Sequence, residues 1–253
     1  FSVNGGAPSS ALPGGLTLAG NKLLVDADGS AFDHLAAGAT EVITVSYFVE
    51  DVHGAKVAQT ATITITGTND DATIGVGWGR TMTASLAGFR PPNRENCKVV
   101  SLLGGIVAVH QTNPIDYTWR LASQLGAECY MFLAPLLVDS VATKRALIEE
   151  CGLKAIYDLA ENLDLAIVSC GDIGPHSTSL SEGFISHAAL EELVAAGCVC
   201  DTMFNFLDAE GRTIDHPINE RVMSVDLDTL KKAKHIVLSS GGAHRAKAIR
   251  ATI

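Results

Sequence analysis

Four short loops carry the residues whose types and spacing suit contact with a small polar or anionic ligand: GVGWGRT (75–81), LLGGI (102–106), SCGDIGPHS (169–177) and SSGGAHR (239–245). Glycine permits positive φ angles and close backbone approach, so glycine-rich turns can present N–H groups to an anion. Neither the GxGxxG dinucleotide pattern nor the GxxxxGK[ST] phosphate loop is present. Spacing alone therefore predicts an anion-binding domain, and glycines that serve only strand-to-helix geometry remain the alternative.

The elements that must position these loops alternate between strands and helices after residue 72. Apolar strands are predicted in CKVVSLLGG, ECYMFLAPL, LDLAIVSCG, CVCDTMFNF and KHIVLSSGG, and helices in PIDYTWRLASQLGA, SVATKRALIEECG and SHAALEELVAAG. Ser140 and Ser186 are the expected N-caps of the last two helices. The pattern predicts an α/β domain with a doubly wound, mostly parallel sheet, in which ligands bind beyond the carboxyl ends of the strands.

The first 71 residues have a different period. LTLAG, NKLLVDADG, TEVITVSYFVED and KVAQTATITITG alternate or run apolar with β-branched residues, and glycine, asparagine and aspartate separate them. This is typical of short antiparallel strands joined by turns, and it predicts a small all-β sandwich. The sequence therefore predicts two domains, 1–71 and 72–253.

Charge and cysteine content also change at this boundary. Residues 1–71 have two lysines and no arginine against eight acidic residues, and all six cysteines follow position 96. Single cysteines in apolar contexts are typical of reduced thiols in a cytoplasmic protein. The formal charge of −10 and the absence of a basic cluster argue against direct contact with nucleic acid, and no apolar run has the roughly 20 residues of a membrane span.

The N-terminal segment resembles a VCBS repeat, a cadherin-like module of secreted adhesins. The resemblance rests on FDHLAAG, VSYFVEDVHG and the terminal TITGTND within residues 12–72. It implies an extracellular location and a calcium site, for which Asp51, Asn69 and Asp70 are the candidate ligands because calcium prefers carboxylate and carbonyl oxygens on loops. Asx turns at the same residues are the alternative. No other cofactor is expected.

The remainder resembles the effector-binding domain of SorC-type transcriptional regulators. The resemblance rests on IGVGWGRTM, VVSLLGG, LAPLLVDS, AIVSCGDIG, AGCVCDTMFNFLDAEG and IVLSSGGAHRAKAI, in this order, and it covers residues 73–253. It implies a fold related to phosphosugar isomerases and a sugar, polyol or sugar-phosphate effector. Dimers or tetramers are implied as well, so a homo-oligomer is expected.

The same resemblance implies ligand-binding positions in each of the four loops and one after the GCVC segment. Trp78 stacks on a sugar face or fills the core, and Arg245 stands where the family pattern has lysine. His176 could hydrogen-bond a ligand from its loop, and solvation is the simpler interpretation. The implied positions are Gly77, Trp78, Gly79, Arg80, Thr81, Gly104, Gly105, Gly171, Asp172, Asp201, Gly241, Gly242 and Arg245.

Relatives of this fold include isomerases that use a carboxylate as general base, which makes Asp139, Asp172 and Asp201 candidates for that role. No Ser/His/Asp arrangement, nucleophile elbow or metal cluster accompanies them. We therefore expect ligand binding without turnover, and not an enzyme.

The join between an adhesin-type repeat and a cytoplasmic effector domain predicts a fusion or a truncated product. The SorC resemblance begins at the GVGWG loop, so the DNA-binding headpiece of that family is expected to be missing. Two alternatives remain open at this point, a calcium-binding adhesin fragment and a phosphosugar isomerase. The sequence does not identify the sugar or polyol.

Overall fold

The computed structural model describes residues 1–7, 9, 11–20, 22–27, 29–68, 71–91, 96–106, 113–174 and 177–253. The chain divides into two compact units, Phe1–Asp70 and Asp71–Ile253, called here the N-terminal and C-terminal units. Within the described residues the longest helix has 12 residues, and no helix is long and apolar enough to cross a bilayer.

The N-terminal unit consists of two small antiparallel sheets and one 3₁₀ turn, Ser30–Phe32. Leu16, Ile43, Val45 and Ile65 from both sheets form its buried core together with Phe32. Strand order is β1–β4–β5 in one sheet and β2–β3 in the other. The strands are β1 Ser2–Val3, β2 Leu16–Ala19, β3 Lys22–Val25, β4 Thr40–Glu50 and β5 Lys56–Thr66.

The predicted all-β character of this unit agrees with these strands, and its VCBS and cadherin-like assignment stays a prediction. Asp51 lies in the turn between β4 and β5, where its Oδ1 accepts hydrogen bonds from the N–H groups of His53 and Ala55 at 2.8 and 2.9 Å. This is the Asx-turn role. Asn69 and Asp70 lie outside the described residues, so the calcium site also stays a prediction.

The C-terminal unit is built on a five-stranded parallel sheet with the order β13–β9–β6–β7–β8. A three-stranded antiparallel sheet, β10–β11–β12, continues from it. The strands are β6 Ala72–Val76, β7 Cys97–Ser101, β8 Glu128–Tyr130, β9 Leu165–Val168, β10 Cys170–Asp172, β11 Cys200–Thr202, β12 Asn205–Leu207 and β13 His235–Leu238.

Nine helices are described in this unit, and their ends follow local sequence signals. Ser140 and Ser186 accept hydrogen bonds from the N–H groups of Thr143 and Ala189, which confirms the two predicted N-caps. The helices are α1 Arg80–Ser85, α2 Pro114–Leu125, α3 Val141–Glu149, α4 Lys154–Ala160, α5 Thr178–Ser181, α6 His187–Ala195, α7 Pro217–Glu220, α8 Leu227–Leu230 and α9 Ala246–Thr252.

Three apolar clusters contain residues of the parallel sheet, and two of them show how the helices pack on it. Val76 and Val99 pack with side chains of α1 and α2, such as Met82 and Leu121. Ala166 and Val168 of β9 pack in a cluster with residues of α4, α6, α7 and α8. In a parallel sheet whose strand order reverses, right-handed crossovers place the helices on opposite faces. The two clusters described here and the order of the strands match the predicted doubly wound architecture.

One predicted strand is wrong. The segment CVCDTMFNF forms no strand of the parallel sheet, because the chain reverses within it at Met203 and Phe204, whose φ angles are +49° and +64°. The two halves pair with each other as β11 and β12, and β11 pairs with β10. A two-residue turn with positive φ at both positions is the type I′ geometry of hairpins.

Candidate functional site

A cleft lies where the strand order of the parallel sheet reverses. The chain continues from β6 to β7 on one side, whereas β9 pairs with the other side of β6. The loops that follow the carboxyl ends of β6 and β9 therefore diverge. Ligands of open α/β sheets bind in the crevice between such loops. A Cβ on Gly79 would lie 2.6 Å from the Cβ of Ser169, so glycine is required for this close approach.

The cleft has an empty volume of about 490 Å³, including its open mouth. Residues from all four glycine-containing loops meet around it. The sequence-predicted residues that line it are Trp78, Gly79, Arg80, Gly171, Asp201 and Arg245. Further lining residues that sequence reasoning missed are Leu103, Ser169, Cys170, Thr178, Ser179, Met203 and Phe204.

Arg245 is the buried cation of the cleft. Its exposed fraction is 7 %, and it is the last residue of the 3₁₀ turn Ala243–Arg245. Its Nη1 donates hydrogen bonds to the carbonyl of Cys170 at 3.1 Å and to Ser240 Oγ at 3.4 Å. Its Nε lies 3.8 Å from Asp172 Oδ1, too far for a hydrogen bond, and has no partner among the described residues. The Nε–H is thus a buried donor without an acceptor among the described residues.

Asp201 is the partly buried carboxylate of the cleft. Burial raises the pKa of Asp201 to about 6, and the neighbouring Asp172 carboxylate acts in the same direction. The N–H of Phe204 and the charge of Arg245 oppose this rise. Gly171 lies opposite Asp201 in the β10–β11 pair, and a Cβ there would lie 2.4 Å from Asp201 Oδ1. Glycine at 171 therefore makes room for this carboxylate.

The strained turn between β11 and β12 forms one wall of the cleft. Met203 and Phe204 are buried non-glycine residues with positive φ, a conformation that costs on the order of 1–3 kcal/mol per residue. The Nδ2 of Asn205 stabilises the turn by donating to the carbonyls of Thr202 and Met203, at 3.3 and 3.1 Å. The turn holds the Phe204 N–H at the Asp201 carboxylate.

Trp78 belongs to a row of aromatic rings. Its ring centroid is 5.7 Å from that of Phe184, which in turn lies 5.9 Å from Phe204. Phe204 and Phe206 continue the row at 5.1 Å. Tilted and edge-to-face pairs at these distances fix ring orientation. Trp78 is only partly buried, so it packs on the core and also lines the cleft.

Comparison with known proteins agrees with this architecture. Residues 49–253 match the protein family described as "Putative sugar-binding domain". The chain belongs to this family. The match covers the whole C-terminal unit, and it begins inside β4 of the N-terminal unit, earlier than the boundary between the two compact units.

The sugar-binding domain has curated relatives among transcriptional regulators. It is 27 % identical to the erythritol catabolism regulatory protein EryD of Brucella abortus over 185 residues, which are 73 % of this chain and 58 % of the relative. It is 30 % identical to the transcriptional regulator LsrR of Klebsiella pneumoniae over 188 residues, 71 % of this chain and 55 % of that protein. The chain therefore spans a little over half the length of these relatives.

A solved structure shows the same fold. The full-length sorbitol operon regulator SorC from Klebsiella pneumoniae superimposes with a TM-score of 0.66 and 21 % identity, covering 73 % of this chain and 61 % of that chain. The C-terminal unit is thus a sugar-binding domain homologous to those of SorC- and DeoR-type transcriptional regulators.

The other sequence-predicted residues of the sugar-binding domain lie beside the cleft lining or support it. The amides of Gly104 and Gly105 donate to the carbonyls of Met223 and Ala134, both at 2.8 Å, so they serve backbone packing here. Asp172 does not line the cleft itself, but its Oδ1 lies 3.8 Å from Nε of Arg245, which does. The four that remain are Gly77 at the end of β6, Thr81 on the exposed first turn of α1, and Gly241 and Gly242 before the Arg245 turn.

The other candidates for chemistry lie apart from this cleft or outside the described residues. Asp139 precedes α3, and a hydrogen bond from Thr143 lowers the pKa of its carboxyl group, as expected for an ionised residue at a helix N-terminus. His176 lies outside the described residues. Within the part of the chain that the structure describes, no group of three or more His, Cys, Asp or Glu side chains could hold a metal ion.

Proposed function

We propose that the cleft of the sugar-binding domain binds a sugar, polyol or sugar phosphate that acts as the effector of a transcriptional regulator. The relatives are named for erythritol catabolism, a sorbitol operon and deoxyribonucleosides, which supports small polyhydroxylated ligands. Another part of such a regulator would contact the operator, because the sequence of the C-terminal unit has no cluster of basic residues suited to nucleic acid.

One observation carries this proposal: the buried guanidinium of Arg245, with an unpartnered Nε, lines a cleft at the switch point of the sheet. A buried donor without an acceptor costs on the order of 1–3 kcal/mol. A ligand oxygen at Nε would recover that cost. Ligand pockets combine a few such converging polar groups with apolar and aromatic walls.

The residues around Arg245 suit the parts of a sugar. Trp78 offers an aromatic face to the C–H side of a pyranose or polyol chain. Asp201 offers carboxylate oxygens to ligand hydroxyl groups, and the exposed Arg80 lies at the mouth. We propose that the remaining predicted positions, such as Gly171 and Gly242, act by allowing the backbone to bring these side chains together.

The proposal is tested by isothermal titration calorimetry with a panel of sugars, polyols and their phosphates. Arg245→Ala is expected to weaken the binding of the best ligand at least tenfold, because it removes a buried charge-assisted donor. Arg250→Ala is the matched control, since Arg250 is exposed on α9, the helix that begins directly after Arg245. Arg245→Lys keeps the charge without the planar fork and is expected to bind with intermediate affinity.

Two outcomes contradict the proposal. Either no member of the panel binds to the wild-type protein, or a ligand binds and Arg245→Ala leaves its affinity equal to that of Arg250→Ala. The melting temperature of each variant shows whether it is folded, and Arg245→Lys provides the comparison if Arg245→Ala does not fold.

A phosphosugar isomerase is the second candidate, favoured by one observation. A carboxyl group with a pKa of about 6 in a cleft is suited to abstract a proton near neutral pH, and Asp201 is such a group. Incubation of the protein with aldose phosphates, followed by NMR, distinguishes the two. The result we expect is that no ketose phosphate forms.

A further inference from the structure

The part of the cleft around the buried Arg245 is called here its inner end. The charged side chains there are Arg245, Asp172 and Asp201. Arg245 Nε lies 3.8 Å from Asp172 Oδ1, and Asp201 interacts electrostatically with both Arg245 and Asp172. His244 Nε2 lies 3.8 Å from the same oxygen of Asp172. With both carboxylates ionised, this end has more negative than positive charge unless His244 is protonated.

The part of Arg245 that remains for a ligand lies beside a carboxylate. Its Nη1 already donates to the Cys170 carbonyl and to Ser240 Oγ, which leaves the Nε–H, 3.8 Å from Asp172 Oδ1, and the Nη2 group of the same guanidinium. A phosphate group held at Nε would lie close to Asp172, whose carboxylate would repel it.

Hydroxyl groups fit the same place better. A sugar hydroxyl can accept a hydrogen bond from Arg245 Nε and donate its own proton to a carboxylate oxygen. Gly171 leaves space for the Asp201 carboxylate, and the Phe204 N–H positions it. The inner end thus combines guanidinium donors with two carboxylate acceptors, which is the complement of neighbouring hydroxyl groups.

We propose that Asp201 is a specificity-determining residue that makes the inner end of the cleft accept uncharged polyhydroxyl groups and reject phosphate. This inference rests on the proposed function of the cleft and names the chemical class of ligand for its inner end. A neutral sugar or polyol is then preferred to the same compound with a phosphate group in contact with Arg245.

Protonation of Asp201 changes this preference. The groups that interact electrostatically with Asp201 are Arg245, Asp172 and the thiols of Cys198 and Cys200. Burial raises the pKa values of these two thiols to about 11 and about 12, so they stay neutral. With a pKa of about 6, Asp201 is mostly ionised at pH 7.5 and mostly neutral at pH 5.0. A ligand that requires the neutral form gains roughly 30-fold in affinity over this interval, and one that requires the ionised form loses roughly tenfold.

The experiment compares sorbitol, sorbitol 6-phosphate and inorganic phosphate by calorimetry at both pH values, in the wild type, Asp201→Asn and Asp228→Asn. Asparagine keeps an oxygen for the Phe204 N–H and removes the charge. Asp228 is an exposed residue of α8, so Asp228→Asn is the control for charge alone. Phosphate groups titrate near pH 6 themselves, so the relevant quantity is the difference between wild type and Asp201→Asn at each pH.

At pH 7.5 we expect Asp201→Asn to strengthen binding of the two phosphate compounds at least tenfold and to weaken binding of sorbitol, while Asp228→Asn changes each by less than about twofold. The gain is expected to shrink at pH 5.0. Equal phosphate affinities in wild type and Asp201→Asn overturn the inference and leave the proposed function standing. Failure of all three compounds to bind to Asp201→Asn overturns the inference as well. If the whole sugar panel also fails with the wild type, the proposed function itself is wrong.

Discussion

Replacement of Asp201 by asparagine is expected to stabilise the C-terminal unit at pH 7.5 and to stabilise it less at pH 5.0. Burial raises the pKa of this carboxyl group from its ordinary value of 3.8 to about 6. A carboxyl group whose pKa is higher in the folded state than in the unfolded state stabilises the fold at pH values below its unfolded-state pKa. This contribution is lost as the pH rises through the folded-state pKa. At pH 7.5 the native protein therefore holds an ionised carboxylate at a cost in stability.

The magnitude follows from the size of the shift. A rise from 3.8 to about 6 corresponds to about 3 kcal/mol at pH 7.5, and to about 1.5 kcal/mol at pH 5.0. Asparagine removes this cost at both pH values. Effects of the substitution on packing and on the Phe204 hydrogen bond are the same at both, so the pH-dependent part isolates the ionisation of Asp201.

The assay is urea unfolding followed by tryptophan fluorescence. Both tryptophans of the chain, Trp78 and Trp119, lie in the C-terminal unit, so the signal reports on that unit. Asp228→Asn is the control, and its stability is expected to follow that of the wild type at both pH values. The reasoning is refuted if Asp201→Asn destabilises the protein by the same amount at pH 7.5 and pH 5.0.

Two further predictions concern the supports of the cleft and the helix ends. Gly79→Ala is expected to destabilise the C-terminal unit by about 1–3 kcal/mol, because the new Cβ would lie 2.6 Å from that of Ser169. Gly88→Ala, whose Cβ would meet no atom within 4 Å, serves as its control in the same urea titration, and equal losses in both would contradict the packing argument. Ser140→Ala and Ser186→Ala should each cost about 1 kcal/mol by loss of the N-cap, and unchanged urea midpoints would show that these caps do not stabilise their helices.

Local patterns in the sequence predicted a mostly parallel α/β sheet for the C-terminal unit, but they did not predict its central strand, β6. The spacing of apolar residues identified α2, α3 and α6, and the capping roles of Ser140 and Ser186 depend only on residues one turn away. Four of the five predicted strands lie in the parallel sheet, because apolar runs that end in glycine or polar turns are a local signal. The alternation of strand and helix then predicted parallel order.

No local sequence pattern predicted that the chain would reverse direction at Met203 and Phe204. Type I′ turns usually contain asparagine or glycine at both central positions, and neither occurs at 203 or 204. The positive φ angles are maintained by tertiary contacts, including the side chain of Asn205 and its bond to Ser224. A sequence pattern does not contain these contacts, so the segment was interpreted as one strand.

The same limit applies to the candidate site. Glycine turns at the carboxyl ends of the predicted strands indicated where the loops would meet. The resemblance to a known family indicated Arg245 and Asp201 as ligand-binding residues. The missing donor partner at Arg245 Nε and the packing of Gly171 against Asp201 depend on atoms that are distant along the chain. Ser169 was missed because a serine after a strand carries no spacing signal that distinguishes it from a turn residue.

The most direct test of the account is a fluorescence titration of the Trp119→Phe variant, in which Trp78 is the remaining tryptophan. Trp119 is an exposed residue of α2, so the substitution leaves the cleft unchanged. The account predicts that a sugar or polyol that binds by calorimetry changes the Trp78 emission with the same saturation curve, and that Arg245→Ala abolishes this change while Arg250→Ala retains it. Saturable binding that leaves the Trp78 emission unchanged and does not depend on Arg245 would place the ligand elsewhere and contradict the account.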